Sequence, residues 1–334
     1  MQPPLFWSRP ANSPGLAARL LSPLAWVVAR LAAWRLARGE WQKVGAPVIC
    51  VGNINIGGTG KTPAVIALAA RLKAMGRNPA VVSRGYGGRL AGPVQVRERQ
   101  HKAADVGDEP LLIAAFCETW VAKDRAAGAR AAVAAGADVI LLDDGLQNPG
   151  LHKDVSIVVV DAVAGFGNGR VFPAGGLREA PGVGLARADA VLLVGPERAR
   201  RTCLEAWPIL ASRPLIEAEL QVLETGTDWT SGRYLAFAGI GRPEKFFATL
   251  RGLGADLFRC EALSDHQALT APLLRRLETD AFFNGAQLVT TEKDAVRLPE
   301  DFRLKVVTLP VRLQIADWTV LEAVLEQAGI EGGP

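Results

Sequence analysis

The stretch VICVGNINIGGTGKTP, at positions 48–63, constrains the fold of this chain more than any other feature. An apolar run typical of a buried strand leads into a glycine-rich turn, and a stretch typical of a helix follows. That helix opens on Pro63, and proline suits the first turn of a helix because its missing N–H costs little there. The turn is close to the phosphate-binding pattern G-x-x-x-x-G-K-[ST]. Together these features predict a site for a nucleoside triphosphate.

The predicted phosphate cradle comprises Asn55, Ile56, Gly57, Gly58, Thr59, Gly60, Lys61 and Thr62. Its first position holds Asn55 where the pattern has glycine. Asparagine tolerates left-handed backbone angles better than most residues, so the turn remains feasible. The glycines let backbone N–H groups approach the phosphates closely. We expect the Lys61 ammonium to reach the β- and γ-phosphates and the Thr62 hydroxyl to bind Mg²⁺.

Two acidic residues end a second apolar run, in VILLDDGLQ at 139–147. Asp143 and Asp144 resemble the carboxylates of a Walker B strand, which help to hold Mg²⁺. A lone aspartate after a strand is often only a helix cap, and we interpret Asp161 in that way. Two adjacent acids in a chain that also carries a phosphate cradle favour a metal site.

Short β-rich apolar runs alternate with helical stretches along the rest of the chain. The predicted strands lie at 48–51, 80–82, 139–142, 156–160, 191–194, 235–238, 287–290 and 306–309. Helices are predicted between several of them, including 64–75 and 110–120. This alternation predicts an α/β fold with a P-loop NTPase-like, largely parallel sheet, because strands buried on both faces read as continuous apolar runs.

Polar, glycine-bearing loops follow four of these runs: GNINIGGTGKT, SRGYGG, DDGLQ and AGIGRPEK. Ligands of open parallel sheets bind beyond the carboxyl ends of the strands, so we expect these loops to meet at one crevice. A segment rich in Gly, Thr and Ser at 224–233 predicts a seam between domains. We therefore divide the chain into an N-terminal helical segment at 1–45, a P-loop domain at 46–226 and a smaller C-terminal α/β domain at 227–334.

The N-terminal segment carries half of the tryptophans of the chain: Trp7, Trp26, Trp34 and Trp41. Tryptophan and arginine both suit the headgroup level of a bilayer. Between Arg19 and Arg30 the run without charge is only 10 residues long, whereas spanning takes roughly 20. We therefore expect contact with a membrane surface without crossing, the alternative being a helical hairpin, broken at Pro23, that packs on the protein.

The amino-acid composition is compatible with several kinds of binding partner. A net charge of +4 and a pI of about 9.0 are compatible with a phosphorylated substrate or an anionic membrane surface. We see no interleaved basic and aromatic stripe and expect no nucleic-acid partner. The four cysteines form no C-x-x-C pair, which predicts reduced thiols. Three scattered histidines are too few for a cluster of metal-binding imidazoles.

The absence of two motifs argues against two classes of nucleotide-binding enzyme. A GTPase would need an N-K-x-D guanine-reading motif or a close variant, but TTEKD at 290–294 has its lysine and acid adjacent. A ParA-like or nitrogenase-iron-protein-like ATPase would carry a lysine early in the loop, where this chain has Ile56. A kinase or another type of ATPase remains, with ATP as the expected nucleotide.

Eight motifs occur in a fixed order: VGNINIGGTGKTP, SRGYGG, VGDEP, DDGLQ, GRVFPAGGLRE, FAGIGRPEKF, SDHQALT and TTEKDAVRL. The ordered set resembles the tetraacyldisaccharide 4'-kinase family over residues 15–315. The resemblance implies transfer of the ATP γ-phosphate to the 4'-hydroxyl of tetraacyldisaccharide 1-phosphate, giving lipid IVA in lipid A biosynthesis. It also implies a smaller C-terminal α/β domain and a peripheral location on the cytoplasmic face of the inner membrane of a Gram-negative bacterium.

Further site residues are implied by the same resemblance. Asp108 in GDEP matches an acid that acts on the acceptor hydroxyl, and His266 in SDHQ matches its histidine partner, so that both join Lys61 as catalytic residues. Arg178 and Glu179 match a pair near the phosphates and the metal ion. The residues matched to a loop on the substrate side are Ser83, Arg84 and Tyr86.

Other interpretations of these residues stay open. A lone carboxylate has a pKa near 4 and is a poor base for a sugar hydroxyl, so Asp108 needs its imidazole partner; without one it is a helix-start residue. His266 alone reads as a surface histidine, and Arg178 with Glu179 as a solvated ion pair. The chain also departs from the family pattern at Asn148, where a histidine is usual, and His152 is the candidate to replace that histidine.

Two other functions remain open on the sequence. The first is a P-loop kinase of a soluble small molecule, for which residues 1–45 would be dispensable. The second is a nucleotide-dependent switch ATPase that acts on a protein partner and forms no phosphorylated lipid.

Overall fold

Two sheets organise the computed structural model, which describes residues 4–265 and 267–332. The strands are β1 (Val48–Gly52), β2 (Pro79–Ser83), β3 (Val94–Gln95), β4 (Glu118–Val121), β5 (Val139–Asp143), β6 (Val155–Asp161), β7 (Ala190–Val194), β8 (Leu215–Val222), β9 (Arg233–Ala238), β10 (Asp256–Ala262), β11 (Ala286–Thr291), β12 (Val306–Leu309) and β13 (Val311–Ile315). The α-helices are α1 (Leu16–Ala37), α2 (Lys61–Ala74), α3 (Ala103–Val106), α4 (Asp108–Ala114), α5 (Arg125–Ala134), α6 (Pro181–Leu185), α7 (Glu197–Ala206), α8 (Pro243–Gly252), α9 (Ala271–Phe283), α10 (Glu292–Ala295), α11 (Glu300–Arg303) and α12 (Thr319–Gln327). Short 3-10 helices lie at Leu5–Ser8 and Pro208–Ser212.

The larger sheet has the order β13-β8-β7-β6-β1-β5-β2-β4-β3. Its strands from β8 to β4 are parallel, and antiparallel strands lie at both edges. Alternate residues of β1 enter different cores: Ile49 and Val51 pack with α2 and α12, whereas Val48 and Cys50 pack with α5 on the opposite face. Burial on both faces explains the continuous apolar runs of the central strands, and this α/β architecture confirms the predicted fold class.

The smaller sheet has the order β10-β9-β11-β12 and is parallel throughout. Helix α8 packs through Phe246 and Phe247 on one face of β9, and α9 packs through Leu274 and Leu277 on the other. All eight apolar runs predicted as strands are strands in one of the two sheets.

The predicted helix at 110–120 is wrong in its second half. Helix α4 ends at Ala114, and Glu118–Val121 forms β4, which pairs in parallel with β2. Side chains in β4 alternate between half-buried and buried, a period that pairing with β2 imposes and that the flanking apolar residues conceal. Strands β3, β8, β10 and β13 were also absent from the prediction, because they are short or carry alternating polar residues.

The chain returns to the larger sheet after Pro310. Strand β13 pairs antiparallel with β8, and α12 contributes Leu321, Val324 and Leu325 to the core under α2. Residues 311–330 therefore pair and pack with the larger sheet, which differs from the prediction of one C-terminal unit at 227–334. The seam near residue 226 stays a prediction.

Helix α1 is one continuous helix, so the predicted break at Pro23 is wrong. Proline has a helical φ, although it loses one N–H bond and crowds the carbonyl four residues earlier, and here the helix continues to Ala37. Its apolar side chains largely face outward, including Leu20, Leu24, Trp26, Leu31 and Trp34. This exposure contradicts a hairpin packed on the protein. By length and composition alone, α1 could also cross a membrane.

Candidate active site

The predicted cradle lies between the carboxyl end of β1 and the first turn of α2. Gly57 and Gly60 have φ angles of 111° and 94°, which glycine adopts without strain. Asn53 donates its side-chain N–H to the Gly57 carbonyl at 3.1 Å, and Ile56 donates its backbone N–H to the Gly176 carbonyl at 2.8 Å. A Cβ added at Gly57 or Gly58 would meet no atom within 4 Å, so the turn borders open space.

Asn55 does not take the left-handed conformation that the sequence suggested for it. Among the described residues, only Trp41 and Asp144 combine a side chain with a positive φ. Instead, Asn55 donates its side-chain N–H to the Gly165 carbonyl at 2.9 Å and forms a backbone bridge with Leu177. Its amide thus connects the cradle to the segment after β6, which a glycine could not do.

The two acids after β5 have different surroundings. Asp143 is buried and accepts a hydrogen bond from the Ser83 hydroxyl at 2.9 Å. Burial, with the nearby charges of Glu109 and Asp144, raises the pKa of Asp143 to about 7. Asp144 has a φ of 53°, which turns its side chain off the line of the strand.

Lys61 and Arg178 both face Asp144. The Lys61 Nζ lies 3.7 Å from Asp144 Oδ1. Arg178 makes a two-pronged ion pair with Asp144, at 2.7 Å and 2.9 Å. Burial would raise the pKa of Asp144, but the two cations outweigh it and hold that pKa below its ordinary value. The structure thus brings together three of the residues predicted to surround the phosphates.

Glu179 is buried behind this group. Its Oε1 accepts hydrogen bonds from Gln147 at 2.8 Å and Arg187 at 2.7 Å, whereas its Oε2 is buried and has no hydrogen-bond partner. Gln147 also donates to the Asn53 carbonyl at 3.0 Å. Gln147 was not predicted as a site residue, although it is the glutamine of the DDGLQ motif.

The donor set fits Mg²⁺ that is shared with a nucleotide better than a closed protein cage. In residues 4–265 and 267–332, no three His, Cys, Asp or Glu side chains form a metal-binding group, so Asp143, Asp144 and Glu179 are not one cluster. Mg²⁺ is usually held by one or two carboxylates together with phosphate oxygens and waters. The unpartnered Glu179 Oε2 is a free acceptor near this position.

Asp108 begins α4 and is buried. Its Oδ1 accepts a hydrogen bond from the Glu109 backbone N–H at 2.9 Å, so it does serve as a helix-start residue. Its Oδ2 lies 3.9 Å from the Arg297 guanidinium, and Lys293 pairs with Glu109 at 3.0 Å. Both cations come from the smaller sheet. His266, the predicted partner of Asp108, lies outside the described residues.

The TTEKDAVRL segment forms a buried polar cluster that sequence reasoning missed. Asp294 accepts hydrogen bonds from the Gly239 backbone N–H at 3.0 Å and the Thr291 hydroxyl at 2.7 Å. Arg297 donates to Asp294 at 2.9 Å and to the Gln267 carbonyl at 3.1 Å. The TTEKDAVRL motif was recognised in the sequence, but no role was predicted for its Asp294 and Arg297.

A second contact between the sheets involves Asp161. Its Oδ1 accepts the backbone N–H of Val163 at 2.9 Å, but residues 162–168 form turns and the next helix is α6, so the predicted helix cap is wrong. Its Oδ2 also pairs with Lys245 at 2.7 Å and Arg242 at 3.2 Å, both from the FAGIGRPEKF motif. Asp161 therefore stabilises the turn after β6 and pairs with two cations of that motif.

The other predicted residues lie at different places. Ser83 contacts Asp143, whereas Arg84 and Tyr86 are exposed. His152 faces Asp154 at 3.4 Å, and Asn148 accepts a hydrogen bond from the Gly150 N–H at 2.8 Å. The cysteines are free thiols, as predicted.

The parallel sheet, the glycine turn and the lysine at the helix N-terminus define a P-loop nucleotide-binding protein. A model of the LpxK family, described as tetraacyldisaccharide-1-P 4'-kinase, matches residues 17–329. The chain belongs to this family.

Similar proteins agree over nearly the whole length. The tetraacyldisaccharide 4'-kinase of Dinoroseobacter shibae is 58% identical over 327 residues, which are 98% of this chain and 97% of that protein. That of Jannaschia sp. is 55% identical over 327 residues, or 98% and 99% of the two chains. The crystal structure of LpxK from Aquifex aeolicus in complex with ATP superposes with a TM-score of 0.76 at 25% identity, covering 94% of this chain and 99% of that one.

Proposed function

We propose that this protein transfers the γ-phosphate of ATP to the 4'-hydroxyl of tetraacyldisaccharide 1-phosphate, forming lipid IVA. The observation that carries the proposal is the P-loop of a chain that belongs to the LpxK family over residues 17–329. The relatives from Dinoroseobacter and Jannaschia carry the name of this activity, and the superposed relative binds ATP.

In this proposal the cradle from Asn55 to Thr62 holds the ATP phosphates. Lys61 moves from Asp144 toward the β- and γ-phosphates, since a phosphate is the stronger counter-ion in a desolvated turn. Arg178 keeps Asp144 oriented and adds positive charge beside the phosphates. Phosphoryl transfer depends mainly on such positioning and charge neutralisation.

Thr62, Asp143, Asp144 and Glu179 are the residues proposed to hold Mg²⁺, and because the three acids do not form one cluster, phosphate oxygens and waters would supply the remaining ligands. When bound, Mg²⁺ neutralises charge on the phosphate oxygens. Glu179 offers an acceptor without a partner. The Ser83 hydroxyl orients Asp143 from the side of the SRGYGG loop.

Asp108 is the proposed group that accepts the proton of the acceptor hydroxyl, with His266 as its partner. Arg297, which follows α10, faces the same carboxylate at 3.9 Å. Because Asp108 begins α4, which packs beside the larger sheet, and Arg297 follows α10, which packs beside the smaller one, the acceptor side of the site depends on how the two sheets meet.

We also propose that α1 contacts the membrane surface. The helix exposes leucine and tryptophan side chains over a length of about 33 Å, and Arg30 and Arg38 lie over the rings of Trp26 and Trp34. Such amphipathic cations and indoles suit the cytoplasmic headgroup layer. Alkaline carbonate treatment of membranes tests this arrangement: a peripheral protein is released, whereas a spanning helix is retained.

The proposed reaction is tested with Mg-ATP and tetraacyldisaccharide 1-phosphate in detergent micelles. The expected result is a lipid product with one additional phosphate, located at the 4' position. ATP turnover without a phosphorylated lipid, in micelles where a relative forms lipid IVA, would overturn the proposal. Deleting residues 4–40 should lower the rate on micellar lipid more than it lowers ATP affinity.

A further inference from the structure

A cavity of about 290 Å³ lies beside the loop that follows β5. Its lining comprises Trp41, Leu146, His152, Lys153, Ser156 and Arg187. None of the residues proposed for ATP, Mg²⁺ or the acceptor hydroxyl lines it. Its volume is just below the range of about 300–1,000 Å³ that is typical of drug-sized ligands, so it suits a smaller group.

The polar groups that line the cavity share one property: all of them can donate hydrogen bonds. They are an ammonium, a guanidinium, a hydroxyl and an imidazole, and no carboxylate is among them. Arg187 pairs with Glu179 and His152 faces Asp154, but neither acid contributes to the lining. A surface of this kind complements an oxyanion.

Lys153 differs from Arg187 and His152 because no carboxylate faces it as an ion-pair partner in the described residues. Its Nζ donates to the Asn148 carbonyl at 2.6 Å and lies 4.5 Å from the centre of the Trp41 ring. In the part of the chain that the structure describes, no carboxylate lies within ion-pair distance of it. Burial is the main cause that lowers the pKa of Lys153, and the charge of Arg187 acts in the same direction, whereas the charge of Glu179 opposes it.

Trp41 closes the cavity in an unfavourable backbone conformation. Its φ of 28° is rare for a residue with a side chain, and such strain persists only where the surroundings fix it. Its backbone N–H donates to the Pro149 carbonyl at 3.2 Å. Trp41 follows the carboxyl end of α1, so the cavity lies next to the helix proposed to contact lipid.

We propose that this cavity binds a phosphate monoester, with Lys153 and Arg187 as the charged donors, Ser156 and His152 as further donors, and Trp41 covering the group that carries the phosphate. The cavity is lined by other residues than the proposed phosphoryl-transfer site, and the Arg187–Glu179 pair connects the two. Its phosphate could belong to a soluble compound or to a lipid headgroup, and the two arms of the test distinguish these sources.

The first arm uses inorganic phosphate and the full chain in detergent micelles. Saturating Mg-ADP fills the cradle, chloride keeps the ionic strength constant, and calorimetry measures binding. Wild type should bind phosphate saturably. Lys153→Met should weaken binding at least about tenfold, as expected for loss of a charge-assisted hydrogen bond. Lys153→Arg should retain most of it, and Lys43→Met, at an exposed lysine nearby, should change it less than twofold.

The second arm uses phosphatidylcholine vesicles that contain either phosphatidic acid, a monoester, or phosphatidylglycerol, a diester, at equal mole fraction. A Lys153→Met loss confined to phosphatidic acid supports the proposal and assigns the headgroup as source. Weaker binding of inorganic phosphate without that difference supports a soluble source. Identical behaviour of Lys153→Met and Lys43→Met in both arms overturns the proposal. Should Lys153→Met lose its near-UV circular dichroism, His152→Gln repeats the comparison at another lining donor.

Discussion

The two halves of the proposed active site are built in different ways. The cradle is formed almost entirely by consecutive residues of one loop and the acids at the end of the adjacent strand β5. The acceptor side combines Asp108, from the larger sheet, with Arg297 and Lys293, from a helical segment of the smaller sheet. The cradle therefore depends mainly on neighbouring residues of the chain, whereas the acceptor side forms only when distant segments come together. Substitutions should therefore affect the two halves differently.

The largest effect is expected for Lys61→Ala. Lys61 is the cradle cation that faces Asp144 at 3.7 Å, and removing one preorganised charge donor from a catalytic site costs on the order of 100-fold or more in rate. Phosphoryl transfer should fall by at least that factor, and ATP affinity should fall with it. The exposed Lys43→Ala is the matched control. Transfer within a few-fold of wild type would remove Lys61 from the proposed site.

A smaller and more selective effect is expected for Arg297→Met. Loss of the ion-pair contact with Asp108, at 3.9 Å, should lower transfer roughly tenfold, which is about 1.4 kcal/mol, while ATP affinity is unchanged. Arg297→Lys should recover part of the rate, because a cation again faces Asp108. Arg275→Met, at an exposed arginine of α9, is the control. An equal loss of ATP affinity would show that Arg297 acts on the whole fold and not on the acceptor side.

The Lys293–Glu109 pair should contribute less. Both side chains are partly exposed, at 21% and 33%, and pairs of this kind are typically worth about 0.2–1 kcal/mol. A double-mutant cycle of Lys293→Met and Glu109→Gln, measured on the transfer rate, should give a coupling of about that size. Additive effects would mean that this contact does not hold the two sheets together during transfer.

The smallest effect concerns Asp105, in the segment that leads to Asp108. The Lys102 backbone N–H and the Arg89 guanidinium lower the pKa of Asp105. Its ionised form therefore stabilises the folded state above the ordinary carboxyl pKa of about 4, and this contribution is lost as the pH falls through the lowered value. Amide protection factors at 103–107, which are corrected for the intrinsic pH dependence of exchange, should fall on acidification in wild type and less so in Asp105→Asn. The same pH dependence in both would contradict this role.

The difference between the halves also explains what the sequence could predict. The eight continuous apolar runs identified buried strands, because a strand that is buried on both faces consists almost entirely of apolar residues. Strand β4 and the return of β13 to the larger sheet depend on pairing between distant segments, which residue type does not encode. In the same way, the cradle and Asp143 could be read from their spacing. The cluster of Asp294 and Arg297 could not, since its partners lie on other loops.

The most direct test of this account measures ATP affinity and lipid phosphorylation on one preparation of Asp108→Asn. The substitution keeps the shape of the side chain and a carbonyl acceptor for the Glu109 N–H. The account predicts ATP affinity within about twofold of wild type and transfer to tetraacyldisaccharide 1-phosphate reduced by about 100-fold or more, the scale of general acid–base catalysis. Transfer that stays within a few-fold of wild type, with ATP binding intact, would contradict an acceptor side built around Asp108.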